Sequence, residues 1–181
     1  MSKPLIVLIG TSGSGKSTIV QKLHRKYGYN DVKSYTTRPI RVDDPNDINT
    51  HTFISIDDIA EYKDDIVADN WVNGYYYFAT KQQLDMADLY VVDKPGLIKL
   101  YSNYFGRDII AIYLDVPPEI VAQRMEHRGD SNEAIMQRLQ HDAEAFKGAK
   151  DYVDFVCDNS NQDKLNENVE FIDMLFRNYR G

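Results

Sequence analysis

The chain has 181 residues, enough for one domain with a real core and small inserted lobes but not for a second full domain. Its composition, 43% hydrophobic and 27% charged, is that of a folding globular chain and excludes the disordered and fibrous classes. A net charge of −7 argues against a nucleic-acid partner, and the single cysteine, Cys157, excludes an intramolecular disulfide or a Cys-rich zinc site and fits a reducing compartment.

The first element is the apolar run Leu5 to Ile9, too short for a signal core or a membrane span and therefore consistent with a cytoplasmic location. Ending in Gly10, it has the pattern of a strand buried on both faces of a parallel sheet. Ile19, Val20 and Leu23 then fall at helical spacing between Lys16 and Lys26, with Tyr27-Gly28 as a stop. The stretch from about Pro39 to Thr80 breaks this rhythm. It holds a polar loop from Asp43 to Asp47, a short helix around Ile56 to Tyr62, and Asn73-Gly74 between tyrosine-rich segments, and it reads as a small inserted lobe.

Beyond it, Leu89 to Val92, Ile109 to Leu114 and the shorter Val153 to Cys157 are expected as strands. Helices are expected over Pro95 to Tyr104, Pro118 to His127, Asn132 to Phe146 and Gln162 to Tyr179. Alternating strands and helices imply an α/β three-layer sandwich with a mainly parallel sheet, in which Cys157 serves as a small buried hydrophobe.

Gly10-Thr-Ser-Gly-Ser-Gly15-Lys16-Ser17 matches G-x-x-x-x-G-K-[S/T] and lies where that motif must, between a buried strand and a helix. The segment from Gly10 to Thr18, with Ser12, Gly13, Ser14 and Gly15 inside it, can wrap a triphosphate in backbone N–H groups at a helix N-terminus. Lys16 would reach the β- and γ-phosphates, and Ser17 would ligate the Mg²⁺ that accompanies ATP.

Ser34-Tyr-Thr-Thr37-Arg38-Pro-Ile-Arg41 follows, and its two guanidinium forks suit a phosphate monoester. Arg124, Arg128 and Arg138 form a third constellation. Arginines there can close over a transferring phosphoryl group, or pair at the surface with Glu126 or Glu133.

With these motifs, Gly74-Tyr-Tyr-Tyr77, Val92-Asp93-x-x-Gly96 and Pro117 through Arg128-Gly129 to Arg138-Leu139, the chain resembles the guanylate kinase family of nucleoside monophosphate kinases over nearly its whole length. The resemblance implies a P-loop core (1–33, 81–123 and 141–181), a monophosphate-binding lobe (about 34–80) and a helical lid (about 124–140). It also implies that Arg38, Arg41 and a lobe tyrosine hold the acceptor phosphate and that Ser34 and Asp93 read the purine. Arg124, Arg128 and Arg138 match lid and ATP-contacting arginines, and Asn159 matches a residue beside the adenine.

Departures from the family pattern fall on the lobe. Counting from Gly74 puts Ala68 at the family's guanine-reading glutamate and Tyr77 at its phosphate-binding tyrosine; slipping by one residue puts Asp69 and Phe78 there instead. The Asn73-Gly74 turn favours the first register. His51 stands near another phosphate-binding tyrosine, and Val91 where the family often has an aspartate, leaving Asp93 to serve base and Mg²⁺-bound water alike. The expected reaction is transfer from Mg·ATP to GMP or dGMP by a monomer or homodimer, without a nucleic-acid or membrane partner. A kinase of a phosphorylated sugar and a non-catalytic binding module are the rival readings.

Overall fold

The computed structural model describes residues 3–42 and 47–179. Residues 43–46, most of the polar loop, lie outside the described residues.

Strand β1 (Leu5–Ile9) is buried at all five positions. It pairs in parallel with β6 (Leu89–Val91) on one side and β7 (Ile109–Asp115) on the other, and β7 pairs in parallel with β8 (Phe155–Asp158), giving the order β6-β1-β7-β8. The strand alternation sorts the core into two layers. Leu5, Val7, Ile9, Ala111 and Tyr113 face Leu84 of α2 (Lys81–Met86) and Leu97 and Leu100 of α3 (Lys94–Asn103). Ile6, Leu8, Ile112 and Leu114 face α1 (Lys16–Tyr27) and α6 (Gln162–Asn178) through Ile19, Leu23, Val169 and Ile172. Burying both strand faces is what selects the continuous Leu-Ile-Val run. Cys157 packs half-buried at the edge of the second layer.

A second sheet, ordered β3-β2-β5-β4, stands beside the first. Its strands are β2 (Tyr35–Thr36), β3 (Thr52–Phe53), β4 (Ile66–Val72) and β5 (Tyr75–Thr80). Asn73 and Gly74 both have positive φ (51° and 81°), as the tight turn between β4 and β5 requires. A third small cluster joins α4 (Pro118–His127) to α5 (Asn132–Ala145) through Val121, Met125 and Ile135. Among the described residues no helix is long and apolar enough to cross a membrane.

Most expected elements lie within two residues of their observed ends. The segment at Ile56–Glu61 is a 3-10 helix, capped by Ser55 and Asp58. Strand β8 starts at Phe155 rather than Val153, because Val153 closes a 3-10 turn and the Asp154 carboxylate accepts the Ala111 N–H at 2.8 Å. Sequence reading assigned no helix at Lys81–Met86, although Thr80 and Gln83 form a reciprocal capping box there.

Leu8 is fully buried at the centre of the sheet. Leu8→Ala is expected to cost about 2–5 kcal/mol, measured as the fall in unfolding free energy in a urea titration.

Candidate active site

The chain leaves β1 at Ile9 and turns through Gly10, where φ is 153° and a Cβ would lie 2.8 Å from the Leu114 carbonyl oxygen. The following loop closes on Lys16, whose Nζ donates to the Gly10 and Thr11 carbonyls (2.6 and 2.8 Å) and to Ser14 Oγ (3.2 Å). Desolvation pulls the Lys16 pKa down to about 8, against the opposing field of Asp142. Ser17 and Thr18 stay exposed on the first turn of α1, so the Ser17 hydroxyl is available to a cation brought in by phosphates.

The underside of the loop is held by two residues expected to touch ATP. Asn159 is fully buried; its Nδ2 donates to the Ser14 carbonyl at 2.6 Å and its Oδ1 accepts from Asn168 at 3.1 Å. A Cβ on Gly15, where φ is 94°, would lie 2.5 Å from that Nδ2. The resemblance places Asn159 beside the adenine; here its side chain is committed to the loop backbone. Arg124 likewise donates to the Gly13 carbonyl (3.0 Å) and to the Asn159 carbonyl (2.7 Å), and burial lowers its pKa. It holds the loop's shape from behind.

Across the cavity, Arg38 follows β2 and is only 8% exposed. Its Nη1 and Nη2 each donate to Asp47, at 2.8 Å, and Asp47 also accepts the Arg41 N–H at 2.7 Å. These hydrogen bonds, the Arg38 ones first, hold Asp47 well below the usual carboxylate range. Arg38 Nε is buried without a partner among the described residues, a donor left for an incoming oxygen. His51 lies between Ser34 Oγ (3.3 Å) and the Tyr77 ring (5.4 Å between centroids), and burial, followed by the Arg38 charge, lowers its pKa. Arg41 lines the same cavity.

The hairpin ladder has the register counted from Gly74 and adds Asn70 to the Tyr77 face. Ala68 pairs with Ala79, Asp69 with Phe78 and Asn70 with Tyr77, after a bulge between Ile66 and Ala68. Directly opposed residues share a face, as do residues two apart, so Asn70 and Ala68 lie on the face of Tyr77, with Asn70 directly opposite it, and Asp69 lies on the other face. Ala68 is fully buried in the core. Asp69 reaches the cavity wall, yet it belongs to the opposite face and its carboxylate pairs with Lys99 of α3 at 2.8 Å. Asn70 Nδ2 donates to Asp93 Oδ2 at 2.5 Å, while Asp93 Oδ1 accepts the Gly96 N–H at 2.9 Å as the cap of α3. Val91 lines the cavity without offering a carboxylate.

Of the two other arginines expected in the lid, Arg138 lines the cavity, exposed and without an ion pair among the described residues, whereas Arg128, itself outside the lining, pairs at 3.2 Å with Asp130, which lines it. Sequence reasoning missed Asp47, Asn70 and Asp142. Asp142 was legible as an acid on the buried stripe of α5, seven residues after Ile135. Asn70 was legible too, since the Asn73-Gly74 turn pairs Val72 with Tyr75 and, counting back along the hairpin, Asn70 with Tyr77; the bulge lies beyond Ala68.

A parallel sheet with a glycine-rich anion cradle at the C-terminal end of its first strand defines a P-loop kinase. The solved guanylate kinase from Anaplasma phagocytophilum has this fold, with a TM-score of 0.69 at 19% identity, over 97% of this chain and 85% of that one. An AAA domain family model matches residues 6–147, from within β1 to just past α5. Guanylate kinase from Clostridium perfringens (strain SM101) is 30% identical over 178 residues, 92% of this chain and 77% of the relative. A ribose 1,5-bisphosphate phosphokinase from Enterobacter lignolyticus is 27% identical over 153 residues, 79% of this chain and 78% of the relative. The chain belongs to the guanylate kinase family, and it is a kinase.

Asp47→Asn removes the partner of a buried guanidinium and is expected to cost about 3–5 kcal/mol, measured as a lower thermal and urea midpoint. Because the folded-state pKa of Asp47 is depressed, its contribution is complete above the unfolded value of about 3.9 and is lost as the pH falls toward the folded one. The variant should lack that part of the acid dependence.

Proposed function

We propose that the chain transfers the terminal phosphoryl group of Mg·ATP to a nucleoside monophosphate, GMP or dGMP, giving ADP and the diphosphate. One observation carries this reading. A single cavity of about 980 Å³ is lined by Gly10, Ser12 and Lys16 of the cradle and by Arg38, His51 and Tyr77 of the second sheet. Donor and acceptor phosphates can therefore meet in one space.

The acceptor phosphate is already an oxyanion, so no general base is required and positioning with electrostatics supplies the rate. Arg38 Nε, Arg41, His51 and Tyr77 orient the acceptor phosphate; Lys16 and the cradle amides hold the donor. The Ser17 hydroxyl would help hold a Mg²⁺ arriving with the donor, and that ion would supply charge neutralisation. Arg138, facing the cavity, is the lid arginine that best fits the transferring group, with Arg128 reaching it only after leaving Asp130. Asp93 and Asn70, with Ser34, form the base-reading wall. We read residues 34–80 as the acceptor lobe, 124–140 as the lid, and the enzyme as cytoplasmic.

A second reading keeps the chemistry and changes the acceptor to a ribose bisphosphate. It is favoured by a neutral Asn70 on the face where the family resemblance implies a carboxylate, and by the phosphokinase relative. Purified protein with Mg·ATP and a panel of acceptors tests both. ADP release with GMP or dGMP supports the first, and turnover of a ribose bisphosphate with none of any nucleotide overturns it.

Two variants sharpen the test. Asn70→Ala is expected to lower kcat/KM for the acceptor about ten- to a hundredfold while leaving the KM for ATP unchanged. In the free protein the Lys16 pKa is about 8, and bound phosphate holds its proton. ATP affinity should therefore be full below pH 8, with Kd rising toward roughly tenfold per pH unit above it in calorimetric titrations. Lys16→Ala should abolish this dependence together with turnover.

A further inference from the structure

The cradle is not empty of anions. Asp142, on the inner face of α5, is 5% exposed, and its Oδ2 accepts the Ser12 N–H at 2.6 Å. Among the described residues its other oxygen meets only His141 Nδ1, at 3.3 Å. Its negative field acts on Lys16, whose own three hydrogen bonds all go to the loop. A cradle N–H and the P-loop lysine are the groups that take phosphate oxygens of a triphosphate. A carboxylate bonded to the one and in the field of the other has the charge sign and the acceptor chemistry of such an oxygen.

The helix pattern makes this placement specific. On α5, Ile135 and Leu139 pack against Val121 and Met125, and Asp142 is the next member of that stripe. An apolar side chain would suit the position on packing grounds; an acid suits it only because the Ser12 amide is there.

We propose that Asp142 is an internal stand-in for a donor phosphate oxygen, holding α5 against the cradle until a phosphate chain displaces it. The inference rests on the reading that residues 10–18 bind the donor's phosphates. Two anions cannot share the Ser12 N–H and the Lys16 field, so donor binding expels the carboxylate and releases the end of α5. Arg138 lies one turn upstream on the same helix, facing the cavity without an ion pair among the described residues. The exchange therefore couples arrival of the donor to movement of the arginine that has to meet it. Asp142 sets donor affinity by competition, because only the fraction of molecules with the cradle vacated can bind.

The test is a calorimetric titration of the full chain with sodium tripolyphosphate and with ATP, in the presence and absence of Mg²⁺. Asp142→Asn, which keeps the shape and loses the charge, and Asp142→Ala are expected to bind both ligands about tenfold or more tightly than the unsubstituted chain. Equal or weaker binding by these variants, with binding still dependent on Lys16, overturns the stand-in alone. Loss of all tripolyphosphate binding in the unsubstituted chain and in the Asp142 variants, with Lys16→Ala indistinguishable from them, overturns the cradle reading as well. Hydrogen exchange on the unsubstituted chain gives a second readout that needs no variant. Tripolyphosphate should slow exchange across residues 10–18 and speed it across the last two turns of α5; unchanged or slower exchange in α5 counts against the proposal.

Discussion

The contact on which the site depends is the one between Asn159 and the back of the phosphate loop. A loop that turns its N–H groups inward leaves its carbonyls outward, and buried carbonyls need donors. Asn159 supplies one to Ser14, and Arg124 supplies one to Gly13 and another to Asn159 itself. Strand β8 and helix α4 are thereby tied to the turn between β1 and α1. Gly15 is required for the same reason, since a Cβ there would collide with the amide that holds the loop. The cradle is preorganised by residues that never face the ligand, which is how a flexible glycine sequence becomes a rigid anion site.

How much of this was legible follows from the range over which each feature is decided. The strand from Leu5 to Ile9, the motif after it and the helix from Lys16 are local patterns, and the sheet needs only the two-sided burial those patterns encode. Lys16, Arg38 and Tyr77, which line one cavity, were legible as candidates because phosphate-binding chemistry is restricted to few residue types. The Asn73-Gly74 turn sets the hairpin register and with it the Asn70–Tyr77 pair, but the contact of Asn70 with Asp93 joins segments 23 residues apart and only the fold makes it. Asp47 was hidden differently: in sequence it is one acid in a polar run, and only the fold brings it to Arg38.

The two halves of the cavity solve a common electrostatic problem. For a protein of net charge −7 to bind polyphosphate, a few cations must be concentrated and partly desolvated. An isolated buried cation is costly, so each half gives its cation an internal carboxylate, Asp47 for Arg38 and Asp142 in the field of Lys16. Arg38 keeps one unsatisfied donor, Nε, beyond its pair, so it can take an acceptor oxygen without giving up Asp47. Lys16 has all three of its donors committed to the loop.

These two carboxylates differ in what removing them would undo. Asp47 accepts two bonds from Arg38 and one from the Arg41 N–H, with Thr50 Oγ1 at 3.3 Å. Losing it would strand a guanidinium and unpin the chain that carries both acceptor arginines, so it is part of the fold. Asp142 makes one short bond, to an amide that a phosphate oxygen satisfies equally well, and it sits on a helix whose neighbouring arginine faces the cavity. Its departure on ligand binding leaves no donor orphaned. On bond count alone the first carboxylate is fixed in the fold and the second is the one the proposed exchange would release, which would make the Arg38 side a fixed frame and the cradle side the part that trades one anion for another.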